Sequence, residues 1–171
     1  HVVNHLTGGV SEGETRNVLV ESARITRGDV EDMSEFYIDE WDALIVPGGF
    51  GAAKNLSDFG LKGSACHVNE QVLKMCQAFA KAAKPAGYMC IATAMLPLIY
   101  PKGVKGTIGN DAATAASIVA MGMEHVEVDV KRVVIDKDHH VVSTPAYMLA
   151  TSISEAATGI SRLVKTVIAM S

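Results

Sequence analysis

The residue best suited to do chemistry is Cys90. It stands in Gly87-Tyr88-Met89-Cys90-Ile91-Ala92, where an apolar run gives way to a stretch with helical character. A thiol at such a junction gains in two ways. The partial positive charge of a helix N-terminus stabilises thiolate and lowers the thiol pKa. The N–H of the next residue, Ile91, points to where an oxyanion would form on a substrate. Taken alone, a cysteine among apolar neighbours is more often a buried structural residue. A second loop tips the balance toward function.

That loop is Val46-Pro47-Gly48-Gly49-Phe50-Gly51, which ends another apolar run. Glycines at 48, 49 and 51 free the backbone for close approach to a ligand, with Gly49 the position expected to reject a larger residue. Their N–H groups could form an anion-binding nest or an oxyanion hole. A tight turn that binds nothing explains the loop equally well. It is not a phosphate-binding P-loop, because Lys54 is followed by Asn55, and the dinucleotide spacing G-x-G-x-x-G is absent.

The other nucleophiles and ligands score lower. Cys76 lies among Val72, Leu73, Met75 and Phe79 on a helical pattern, which predicts a core residue. Cys66 beside His67 reads as a loop cysteine, with no ligand cluster around it, so neither a metal nor a cofactor is expected. Three cysteines, none in a C-x-x-C spacing, argue against a disulfide framework and for a reducing cytoplasm. The start, His1-Val2-Val3-Asn4-His5, has neither the basic nor the apolar part of a secretory signal.

Composition narrows the class. Of the 171 residues, 49% are apolar and 20% charged, which suits a single domain, 1–171, able to bury its own core. The net charge is −4 and the basic residues are scattered, so no nucleic-acid partner is expected. Apolar runs are too short to span a bilayer.

Strands and helices alternate along the chain. Residues 14–27 read as a helix with Val18, Leu19, Ser22 and Ile25 on one face and Gly28 as its stop. Residues 42–46 form a short buried strand and 69–84 a helix capped by Asn69. The strand at 85–90 runs directly into a helix at 91–99. A strand at 104–108, a helix at 111–121 and a hairpin of 132–135 with 141–144 follow. Leu149, Ile153, Ala156, Ile160, Leu163 and Val167 give a long amphipathic C-terminal helix. The alternation predicts an α/β fold with a mostly parallel sheet covered on both faces. Ligands in such folds bind at the carboxyl ends of the strands, where the loops after Val46 and Met89 lie.

At these loops the chain resembles the ElbB-like family, the isoprenoid-biosynthesis proteins with an amidotransferase-like domain, within the PfpI and class-I glutamine-amidotransferase-like superfamily. The resemblance rests on residues 47–56 (Pro-Gly-Gly-Phe-Gly-Ala-Ala-Lys-Asn-Leu), and on Glu14-Thr15-Arg16-Asn17-Val18-Leu19, Met89-Cys90-Ile91-Ala92 and Thr144-Pro145-Ala146-Tyr147-Met148. It implies a flavodoxin-like three-layer sandwich, with the family's first strand and Gly-rich loop falling before His1. It implies Cys90 as the nucleophile. For oxyanion and substrate binding it implies Gly48, Gly49, Phe50, Lys54, Asn55, Ile91, Thr144 and Tyr147. A homodimer is the expected assembly.

Members of the family are described as cofactor-independent glyoxalases, so the resemblance implies conversion of glyoxal or a similar small carbonyl substrate to a hydroxyacid. A redox-sensing or binding role for Cys90 is the alternative. Glutamine amidotransfer is weaker, because no His-x-Glu pair stands near Ser143-Thr144-Pro145. Thr107-Ile108-Gly109-Asn110 also lacks the histidine that related proteins supply after the next strand. His139 and His140 fall in the hairpin turn and are expected in solvent, and His125 is expected far from the elbow. The acid/base carboxylate is accordingly expected upstream of His1, with Glu12 and Glu14 the next candidates.

Overall fold

The computed structural model describes residues 1–171 as two units, His1–Phe36 and Tyr37–Ser171. In the first unit Val3 and Val10 form an isolated antiparallel bridge, and helix α1 spans Val18–Thr26. The helix starts later than its apolar pattern. The Asn17 side chain accepts a hydrogen bond from the Val20 N–H and sets the start there. Arg27 turns into the left-handed region at φ 58 and the Gly28 N–H closes back on the Ala23 carbonyl. Val18, Leu19, Ser22 and Ile25 share the predicted face, but α1 buries no residue within this structure.

The second unit contains β1 (Leu44–Val46), α2 (Phe59–Lys62), α3 (Glu70–Lys81), β2 (Ala86–Met89), α4 (Leu96–Ile99), β3 (Lys105–Gly106), α5 (Ala112–Ala120), β4 (Glu124–His125), β5 (Val134–Asp136), β6 (Val141–Thr144) and α6 (Ile153–Met170). A four-stranded sheet runs β1-β2-β6-β5, with β1, β2 and β6 parallel and β5 antiparallel to β6. The predicted hairpin is the β5–β6 pair. The fold is the expected α/β, flavodoxin-like arrangement.

The two sheet faces follow the period of a strand. Ala86 and Tyr88 of β2 and Val141 of β6 enter the larger core, with Val72 and Cys76 of α3, Leu96 of α4 and Ile118 of α5. Met89 and Val142 point the other way, into a smaller core with Leu163 and Val167 of α6. At Gly87 the helix comes so near that a Cβ would stand 2.6 Å from a Leu163 methyl carbon. No helix is long and apolar enough to cross a membrane.

The strand predicted at 104–108 keeps ladder pairing only at Lys105–Gly106, against β4. Its backbone donors turn to side chains instead. The Thr107 N–H donates to Ser143 Oγ at 3.0 Å, and the Lys105 N–H to Asp136 Oδ2 at 2.7 Å. Asp136 is buried and fastens the short sheet to the β5–β6 turn. It also accepts from the N–H groups of Asp138 and His139 and lies 2.9 Å from His139 Nδ1. His139 is therefore half-buried and tied down rather than free in solvent, and His140 is half-buried too.

Burial works to raise the Asp136 pKa, but the Lys105 N–H and the ring and N–H of His139 hold it below the ordinary carboxylate range. A carboxyl depressed in the folded state stabilises the fold above its unfolded value, about 3.9, and loses that contribution as pH falls through the folded value. Asp136→Asn should therefore lower stability by about 1–3 kcal/mol at neutral pH. Its urea midpoint should also vary less than that of the parent between about pH 5 and pH 3. An unchanged midpoint at pH 7 would remove Asp136 from this role.

Candidate active site

Cys90 follows the last residue of β2 and opens a 3-10 turn, Cys90–Met95, which passes into α4. Its backbone lies in the left-handed region at φ 54, where residues with a side chain are strained. That turn lifts the thiol out of the strand direction, as at a nucleophile elbow. The first N–H groups of the turn, Ile91 among them, have no acceptor inside it and are available to a ligand. Cys90 and Ile91 are partly exposed, whereas Ala92 to Met95 are buried.

The glycine loop meets this elbow because β1 and β2 pair in parallel with Val46 opposite Tyr88. Two residues beyond each partner, Gly48 faces Cys90. A Cβ on Gly48 would lie 2.6 Å from Cys90 Cβ, 2.8 Å from the Met89 carbonyl oxygen and 3.2 Å from Cys90 Sγ. Only glycine fits. Gly49 is constrained differently: its φ of 88 demands glycine, yet nothing lies within 4 Å of where its Cβ would be. The expected restriction on space therefore falls on Gly48, and Gly49 is restricted by its backbone.

Beyond Gly51 the chain forms a π-helical turn, Ala52–Leu56, a rare form concentrated at functional sites. Sequence periodicity gave no sign of it. The turn buries Ala52 and Ala53 and packs against the Cys90–Met95 turn. Phe50 and Asn55 are exposed, and Lys54 holds its Nζ 4.9 Å from the centre of the Phe50 ring.

The third wall comes from the end of β6, which is parallel to β2 with Thr144 opposite Met89. The turn Ala146–Met148 packs against the Cys90 turn, and Ala146, also left-handed at φ 45, shares the smaller core with Cys90. Tyr147 is exposed on this turn. Thr144 is buried and its hydroxyl donates to the Arg132 carbonyl at 2.8 Å, so it joins strand to loop beneath the site. Ala146 is the contributor that residue type alone did not single out; its signal was the motif that carries it.

The remaining thiols and histidines stand apart. Cys76 is in the core as predicted, and burial pushes its thiol up. Cys66 is buried too, rather than lying in a polar loop, and burial followed by the nearby Asp58 charge raises its thiol. His125 sits on β4 and its Nε2 accepts the Ile108 N–H at 3.4 Å. Burial pushes its pKa down, against the pull of Glu127. No His, Asp or Glu side chain hydrogen-bonds the Cys90 sulfur, and no group of three metal-ligating side chains converges anywhere in the chain.

Two outcomes check this geometry. Brief, limiting iodoacetamide should label Cys90 ahead of the buried Cys66 and Cys76. Gly48→Ala should change the Cys90 labelling rate several-fold, whereas Gly49→Ala should cost about 1–3 kcal/mol of stability through its backbone. First labelling at Cys66 or Cys76, or unaltered Cys90 kinetics in folded Gly48→Ala, would refute the arrangement.

No protein-family model matches the chain. The human glutamine amidotransferase-like class 1 domain-containing protein 3, mitochondrial, is 41% identical over 177 residues, covering 98% of this chain and 66% of that protein. The rat ES1 protein homolog, mitochondrial, is 40% identical over 177 residues, with 98% and 66% covered. The chain thus spans slightly less than two thirds of these curated relatives. Among solved structures, an isoprenoid biosynthesis protein with an amidotransferase-like domain from Ehrlichia chaffeensis superposes with a TM-score of 0.86 at 34% identity, over 98% of this chain and 77% of its own. The Francisella tularensis rapid encystment protein, at 12% identity and a TM-score of 0.54 over 95% of this chain and 75% of that one, shares the fold alone. With that identity, coverage and superposition, the chain belongs to the family of isoprenoid-biosynthesis proteins with an amidotransferase-like domain, in the PfpI and class-I glutamine-amidotransferase-like superfamily.

Proposed function

We propose that the protein is a cofactor-independent glyoxalase-type enzyme that converts glyoxal or a similar small α-dicarbonyl to a hydroxyacid at Cys90. The observation that carries the reading is the left-handed backbone of Cys90 at the end of a parallel strand, with Gly48 cleared of any side chain beside it. In the reaction the thiolate adds to one aldehyde carbon, giving a hemithioacetal once the oxyanion takes a proton. On this reading the Ile91 and Gly49 N–H groups stabilise that oxyanion. The hydrogen on the adduct carbon then leaves as a proton and a proton returns at the neighbouring carbon. One carbon is oxidised and the other reduced, so no outside oxidant is consumed. The resulting thioester is hydrolysed by water, releasing the hydroxyacid and the thiol.

The proton transfer calls for a carboxyl group or water. The family resemblance puts that carboxylate in the family's first loop, and the curated relatives are longer than the span matched here. One observation favours a second reading: the Cys90 sulfur has no side-chain hydrogen-bond partner in this chain. In a redox-sensing protein the thiolate would attack a peroxide oxygen, giving sulfenate and releasing water, and no proton relay between carbons would be required. A homodimer and a reducing compartment such as the cytoplasm belong to the same proposal, although the human and rat relatives are named as mitochondrial.

Glyoxal consumption and glycolate formation should be measured on purified protein and on Cys90→Ala. The variant is expected to lose activity on the order of a thousandfold. Equal turnover by the variant would end the cysteine mechanism. Absent turnover with Cys90 oxidised at micromolar peroxide would favour the redox reading. Light scattering at micromolar concentration should give twice the mass of one chain, and a lone monomer would rule out the homodimer.

A further inference from the structure

A cavity lies at the opposite end of the sheet from Cys90. It is framed by the end of α3, which leads into β2, by the segment after α4, and by the hairpin turn that leads into β6. These are the amino ends of the parallel strands, whereas the elbow stands at the carboxyl ends. The cavity measures about 480 Å³, within the size range of small-molecule sites.

Its lining divides by chemistry. Ile99, Tyr100 and Pro101 form an apolar wall. Lys81 brings a cation from α3 and Asp138 an anion from the hairpin turn. Neither of these charges is engaged in an ion pair within the chain. His139 adds a positioned ring. Its Nδ1 is held by the buried Asp136 carboxylate at 2.9 Å, and the ring stands edge-to-face with Tyr100, centroids 6.1 Å apart. Nε2 is the ring nitrogen left to meet a ligand.

We propose that this cavity binds a small zwitterion with an apolar body, an apolar α-amino acid. Its carboxylate would pair with Lys81, its ammonium with Asp138 and His139 Nε2, and its side chain would cover Ile99, Tyr100 and Pro101. Charge decides between ligand classes. A simple anion gains Lys81 but meets Asp138, and a simple cation meets the reverse. Only a molecule carrying both charges satisfies both unpaired residues while burying apolar surface on the third wall.

Titration calorimetry with L-phenylalanine, phenylacetate and phenethylamine tests the assignment, because the three share a ring and differ only in charged groups. Saturable binding of phenylalanine is expected, with each single-charge analogue weaker by about tenfold or more. Lys81→Met and Asp138→Asn should each weaken phenylalanine binding by about fivefold or more. Both side chains are exposed, and circular dichroism should show the variants folded. The proposal is overturned if phenylalanine gives no saturable heat up to about 10 mM. It is also overturned if either analogue binds as tightly as phenylalanine, or if both folded variants retain parental affinity.

Discussion

There is no room for a side chain at Gly48. Its Cα stands against the thiol-bearing residue of the next strand, and that close approach is the constraint on which the rest of the candidate site depends. It can occur only if β1 and β2 lie parallel and in a register that sets Val46 against Tyr88. A slip of one residue would turn one strand's side chains to the other face and carry the loop away from Cys90. The larger core holds that register from one side, with Tyr88 and Ala86 locked among α3 and α4 side chains. From the other side α6 lies directly on Gly87, where its leucine leaves no space for a Cβ. The strained Cys90 backbone is sustained because the surrounding sheet and helices over-determine it.

Polar groups in the interior are distributed unevenly. Asp136 collects four donors and so joins the short β3–β4 sheet to the hairpin. Ser143 and Thr144, adjacent on β6, each fasten a different neighbour: Ser143 receives the Thr107 N–H on one face, and Thr144 donates to Arg132 on the other. By contrast the Tyr88 and Tyr100 hydroxyls are buried beside Cys76 and each other, and the Thr93 hydroxyl is buried with no partner in the Cys90 turn. Burial pushes Tyr88 far up and Tyr100 up to about 12, so both remain protonated at any physiological pH. Left-handed backbone occurs at both ends of the sheet, at Ala83 and His140 before β2 and β6 and at Cys90 and Ala146 after them.

Much of this was legible in residue order. Apolar period and turn residues placed nearly every helix and strand, because a buried strand bounded by Pro and Gly and a capped amphipathic helix each leave a local signature. Asn69 and Asp111 cap their helices as their types predict. The position of Cys90 at a strand-to-helix junction was readable for the same reason. The π-turn at Ala52–Leu56 was not, since its apolar spacing matches an α-helix equally well. Nor was the burial of Cys66, which sits in a short loop between helices while its side chain reaches the core.

What the sequence by itself determined was therefore local: the candidate nucleophile, the glycine loop that can approach it, and the alternation that demands a parallel sheet. Tertiary structure decided which glycine matters for space and which for backbone, because that depends on a neighbour forty-two positions away in the chain. It turned Thr144 from the site to the Arg132 carbonyl, and His139 from solvent to Asp136, because hydrogen-bond partners are chosen by proximity across strands and not by neighbours in sequence.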